Sequence, residues 1–164
     1  MIKKILAVII TAICVALFSC SCSSEEYSKT ISARTLSEAL KSEISVPEGE
    51  FSEYSLEDMQ IFFSDPALYE EICIFYSSDA TDTAEIGVIS AKTEEDAKKL
   101  YEDAKSYIKN AQEQKRDFLR NYAPEELEKI NSAEACKLGR YVVFIIAEGS
   151  EKEAVFNKAK EMLK

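Results

Sequence analysis

Four short apolar runs stand between stretches in which apolar residues recur every three or four positions. Tyr69–Ser77 and Ala84–Lys92 read as two strands, and Ser78-Asp79-Ala80-Thr81-Asp82-Thr83 between them has the composition of a hairpin loop. Ala133–Leu138 and Tyr141–Ala147 read as two more, joined at Gly139-Arg140 in a tight turn where glycine can take positive φ. The run Val142–Ile146 is apolar on both faces, which predicts a central strand covered on both sides.

Helix starts are announced by a Ser or Thr followed three residues later by an acid. Thr35 with Glu38, Ser55 with Asp58, Thr93 with Asp96 and Ser150 with Glu153 all have this spacing. After Thr93, Ala97, Leu100, Tyr101, Ala104, Ile108, Ala111 and Phe118-Leu119 lie on one helical face. A helix running to about Arg120 spans about 40 Å, so its second half is expected to overhang the sheet. Pro124 with Glu125-Glu126 restarts a short helix. A last helix, from about Glu151 to Leu163, buries Val155, Phe156, Ala159, Met162 and Leu163.

The order ββαββα predicts an α+β domain over 35–164: a four-stranded, mostly antiparallel sheet with two long helices on one face. The other face of the central strand cannot stay in water. The N-terminal segment is expected to cover it or to pack on the sheet edge, with Leu36, Ala39, Leu40 and Ile44 on one helical face and Leu56, Met59, Ile61, Phe62 and Phe63 beyond Pro47. Left uncovered, that face would be a partner or dimer surface.

Ahead of the domain the pattern changes. Lys3 and Lys4 precede an apolar run, Ile5–Phe18, and Leu17-Phe18-Ser19-Cys20 closes it. That is a secretory signal ending in a lipobox, with 1–19 removed and Cys20 carrying the lipid. Acyl burial, about 0.8 kcal/mol per CH₂, would hold the chain at the membrane without spanning it. A spanning helix needs about 20 apolar residues, more than this run provides. Cys22 is the poorer candidate for lipid, because Ser19 would stand where leucine is wanted. Residues 20–34 are rich in Ser, Glu, Lys and Thr and read as a tether.

Charge narrows the partners. The chain has 20 basic and 30 acidic residues; losing 1–19 removes two lysines and no acids, leaving 18 against 30, a net of −12. Such a surface repels nucleic acid, anionic polymers and anionic headgroups. The absence of His removes the commonest general base and metal ligand.

Of five cysteines, Cys14 leaves with the signal and Cys20 would be a thioether, so Cys22, Cys73 and Cys136 remain and at most one disulfide can form. Cys73 and Cys136 lie in strand-like segments and are expected to be reduced and buried. A bridge between them requires Cα atoms within about 7 Å.

Candidate chemistry is sparse. There is no glycine-rich phosphate loop, no paired-cysteine zinc spacing and no Gly-x-Ser-x-Gly elbow. The clusters Glu70-Glu71, Glu94-Glu95-Asp96 and Glu125-Glu126-Glu128 have the composition of carboxylate pairs or calcium ligands, yet sit at strand edges and helix starts where solvated acids are expected. Lys115, Arg116 and Arg120 form a basic cluster near a helix C-terminus, where cations favour the macrodipole. No catalytic residue, cofactor or metal site is expected.

Three stretches carry a resemblance: Glu85–Lys92, the helix ending Phe118–Glu126, and Leu138–Val143. With Tyr-x-Pro-Glu at Tyr122–Glu125 and Gly-x-Tyr-Val at Gly139–Val142, the chain resembles a small bacterial lipoprotein family, domain of unknown function four-three-five-eight. The resemblance implies a fold and a location and no activity. Two functional classes follow from the sequence. One is a non-enzymatic, lipid-anchored binding or accessory module on the outer face of the cell membrane, partnered by a protein or cell-envelope component. The other is an extracytoplasmic hydrolase with a histidine-free site.

Overall fold

The structure, a computed structural model, describes residues 26–46 and 50–164. Among the described residues, five helices and five strands follow in the order α1 (Ala33–Lys41), β1 (Phe51–Glu53), α2 (Leu56–Phe62), β2 (Tyr69–Ser77), β3 (Glu85–Ala91), α3 (Glu94–Tyr122), α4 (Glu126–Asn131), β4 (Glu134–Leu138), β5 (Tyr141–Ile146) and α5 (Gly149–Leu163). The class is α+β, with one antiparallel sheet in the order β1-β2-β3-β5-β4.

The sheet has five strands, not the expected four. The added strand, β1, is only three residues long and too short for a visible alternation. It exists because the edge of β2 receives it, pairing Phe51 with Ser77 and Glu53 with Phe75. The two hairpins form as read, and Gly139 takes φ +58° in the β4–β5 turn.

The helix layout also differs from the expectation. The two long helices lie on opposite faces, and each is joined by one N-terminal helix. Leu36 and Leu40 of α1 and Val155, Ala159 and Leu163 of α5 cover Cys73, Phe75, Ile86, Val88, Val143 and Ile145. Met59 of α2, with Phe63 just beyond it, and Ala97, Leu100, Ala104 and Tyr107 of α3 cover Ile72, Ile74, Ile89, Val142 and Phe144. Alternate residues of β2, β3 and β5 are apolar on both sides, so each face needs a full helical layer. Helices α1 and α2 therefore fall on opposite faces rather than on one, while β1 takes the sheet edge.

Two of the four caps are where the spacing puts them: Ser55 with Asp58 and Thr93 with Asp96. The other two shift. Ser32 caps α1 by accepting from Thr35 N–H, and Glu148 with Glu151 forms the box at α5. The end of α3 overhangs the sheet only in part, because α4 folds beneath it and seats Ile130 on Leu119, Ala123 and Ile146. Phe118 and Tyr122 stay exposed, at 44% and 72%.

Residues 27–34, expected as tether, are docked on the domain. Lys29 N–H donates to Leu163 C=O at 3.2 Å, and Tyr141 hydroxyl both donates to Ile31 C=O at 2.7 Å and accepts from its N–H at 2.8 Å.

Cys73 is buried and Cys136, on the edge strand, is half-buried, which corrects the expectation that both are buried. Both are free. Cys73 pairs with Val88, Val88 with Val143 and Val143 with Cys136, so the cysteines share one row with two strands between them. Three strand spacings of about 4.8 Å put them about 14 Å apart, twice the reach of a disulfide. Burial pushes the Cys73 thiol up to about 11 and Cys136 up to about 12. Intact mass of the oxidised protein should show no loss of two hydrogens linking these cysteines, and alkylation at pH 8 should be slow at both, slowest at Cys73. A mapped Cys73–Cys136 bridge would refute the strand register.

Candidate functional site

The chemically distinctive group is Glu85, the first residue of β3. It lies in a row with Tyr76 and Ile146 on the face covered by α3. Alternation places it on the same side as Gly87, Ile89 and Ala91, so its carboxylate enters the core at 1% exposure. Tyr107 of α3 donates its hydroxyl to Glu85 Oε1 at 2.5 Å. The Tyr107 ring is fixed by Phe62 at 4.8 Å and Phe144 at 5.3 Å between centroids, and Tyr54 stacks on Tyr76 at 4.3 Å.

Burial pushes the Glu85 carboxyl up to about 7, outweighing the Tyr107 hydrogen bond and the field of Lys115, both of which favour the charged form. Tyr107 is raised by its own burial and by the facing carboxylate. Tyr54 is pushed up to about 12, mainly by burial. The pair can hold or release a proton near neutrality. The sequence reading passed over Glu85 as part of a strand; the available signal was an acid on the inward side of an otherwise apolar run.

Of the clefts among the described residues, three lie elsewhere, and Glu85 lines none of these three. One of about 410 Å³ between α4 and the start of α5 is lined by Glu125, Glu128, Glu148 and Lys129 among others. Lys129 bridges Asp82 at 2.7 Å and Glu126 at 2.8 Å, while Glu126 Oε2 accepts from the N–H and hydroxyl of Thr83 at 2.8 Å each. These charges clamp the β2–β3 loop to α4. A second cleft, about 420 Å³, opens beside α1, β1 and α2, where the Arg34 guanidinium grips both oxygens of Glu53. A third, about 310 Å³, runs between α3 and β4.

The acid clusters mostly serve as caps and ties. Glu71 accepts from Ala33 N–H at 2.6 Å at the start of α1, Glu70 pairs with Arg140 at 3.2 Å, and Asp96 accepts at 2.7 Å from the hydroxyl of Thr93, the N-cap of α3. The cluster at 125–128 is not simply solvated, since Glu126 is a member of the Lys129 clamp. Among the described residues, no three His, Cys, Asp or Glu side chains are placed to hold a metal ion. Of the basic cluster, Arg120 lies 3.6 Å from Asp117, and Phe118 and Tyr122 pack together beside it. Cys20 and Cys22 lie outside the described residues, in which no helix is long and apolar enough to cross a membrane.

A family model described as Domain of unknown function (DUF4358) matches residues 48–147. The chain belongs to this family. The DUF4358 match contains all five strands with α2, α3 and α4, and so includes both Glu85 and Tyr107 and both turns that carry the resemblance. Helices α1 and α5, which cover the Val88–Val143 face, fall outside it. No curated protein and no solved structure matches the chain.

Proposed function

We propose that this DUF4358 chain is a lipid-anchored protein of the extracytoplasmic membrane face, held by Cys20 and acting as a non-enzymatic binding or accessory module. The anchoring half of this reading rests on the signal and lipobox at 1–20. The non-enzymatic half rests on one observation: the carboxylate with the largest upward shift, Glu85, is sealed beneath α3 by Tyr107 and opens onto none of the three clefts. At two of those clefts, the charges of Lys129 and Arg34 are spent on other protein groups.

The second reading, a histidine-free hydrolase, draws on the same Glu85, because a carboxyl near 7 suits a general base. It needs water at the carboxylate, which 1% exposure withholds.

Anchoring is tested in cells. Cys20→Ala should abolish incorporation of labelled palmitate and either move the protein to the soluble fraction or leave it unprocessed. Palmitate label at the unsubstituted level in this variant would overturn the anchor.

A further inference from the structure

The two edge strands of the sheet, β1 and β4, differ. The β1 edge is three residues long, and its Glu53 is held by Arg34. The β4 edge is five residues long and is the last strand in the sheet order. Leu138 pairs with Tyr141 across a two-residue turn, so Leu138, Cys136 and Glu134 exchange main-chain bonds with β5. By the same alternation, Ala135 and Lys137 direct their N–H and C=O groups away from the sheet. Beside this row runs the α3–β4 cleft, with Tyr101, Ile108 and Ala135 as its apolar lining and Lys105 and Lys109 among its polar residues.

The charge at this edge runs against that of the chain, whose net is −10. Glu134 is already matched by Lys152 at 2.9 Å, and Lys105 by Glu102 at 3.0 Å. Lys109 and Lys137 have no ion-pair partner among the described residues; Lys137 Nζ donates only to Gly139 C=O, at 3.3 Å. The uncompensated charge at the edge is therefore positive.

We propose that the β4 edge and the α3–β4 cleft dock an extended acidic segment of a partner protein as an added sixth strand. Main-chain bonds to Ala135 and Lys137 would supply affinity, apolar side chains would enter the cleft over Ile108, and carboxylates would meet Lys109 and Lys137. A second copy of the chain is the poorer occupant. A twofold axis on this edge brings the same lysines together, and like charge opposes the pairing. The proposal deepens the binding-module reading and rests on it. Its test uses no membrane, so its failure is distinct from failure of the Cys20 anchor.

The probe is a fluorescein-labelled ten-residue peptide of alternating Val and Glu, titrated into the full chain and read by anisotropy. A peptide of alternating Val and Lys is the control. The acidic peptide should bind, more weakly as salt rises, and amide exchange at Ala135 and Lys137 should slow in the complex. Lys109→Glu with Lys137→Glu should weaken binding about tenfold. Lys137→Pro removes the outward N–H without touching the β4–β5 ladder and should weaken it as well. Near-ultraviolet circular dichroism establishes that each variant is folded. Arg116→Glu with Arg120→Glu, on α3 but away from the cleft, should leave binding unchanged.

Equal binding of the lysine peptide, unchanged exchange at Ala135 and Lys137, or equal loss in the Arg116/Arg120 variant would overturn the proposal. So would a dimer that Lys137→Pro dissociates, which would make a second copy the occupant.

Discussion

Glu85→Gln should stabilise the domain at pH 8 by about 3 kcal/mol and remove a pH dependence that the unsubstituted chain shows between about pH 4.5 and 7. The folded carboxyl lies near 7, against an ordinary value of 4.5. Over that window the folded state keeps a proton that the unfolded chain has released. Native protein then binds more protons than unfolded, so stability falls as pH rises through the window. The penalty is absent below the unfolded value and complete above the folded one. The difference between 4.5 and about 7 corresponds to about 3 kcal/mol. Glutamine keeps an oxygen for the Tyr107 hydroxyl and carries no charge to bury. Urea unfolding at pH 4, 5.5 and 8 checks this: the two proteins should converge at low pH and separate above it. Parallel profiles from pH 4.5 to 8 would mean that Glu85 is not buried as described.

The second large effect lies one residue pair away on the same face. Gly87 faces Phe144 across the β3–β5 ladder, and a Cβ on Gly87 would fall 2.1 Å from the Phe144 ring. The ring cannot step aside, since it is fully buried, stacked on Phe63 and packed against the tilted ring of Tyr107. Gly87→Ala should cost about 1–3 kcal/mol by overpacking, and Phe144→Ala about 3–5 kcal/mol by leaving a cavity. The double variant should cost less than the two together, because the new methyl enters the space the ring has left. Thermal or urea unfolding of all four proteins gives the coupling. Strict additivity would show that the close approach of Gly87 and Phe144 is absent in solution.

The DUF4358 match gives these positions a wider bearing. Glu85, Gly87, Tyr107 and Phe144 all fall inside residues 48–147, whereas α1 and α5 do not. The matched stretch by itself would leave Cys73, Val88, Val143 and Ile145 uncovered. In this chain, segments on either side of the match supply that layer.

Much of the fold is legible in short stretches of the chain. Strands β2 and β5 and the long helix show in runs and spacings within a few residues of one another, because the periods of 2 and 3.6 are properties of the backbone. The Gly139 turn and the Ser55 and Thr93 caps are likewise local hydrogen-bonding choices, made among residues at most four apart. The shifted caps show where this stops. Thr35 and Ser150 have the right spacing, yet α1 starts at Ala33, where Glu71 of β2 accepts from its first N–H, and α5 begins as soon as β5 ends.

By itself, then, the sequence determined an α+β chain of paired hairpins and amphipathic helices, with no histidine and a strongly acidic surface. Only the tertiary structure decided which helix covers which face, because two apolar faces of a strand look alike until distant segments fill them. It also recruited β1 from three unremarkable residues, since a short strand is defined by its neighbour. It separated Cys73 from Cys136 by two strands, and it buried Glu85 beneath Tyr107, 22 positions away. Each of these depends on residues far apart in the chain, where spacing carries no signal and the packing of helix on sheet makes the choice.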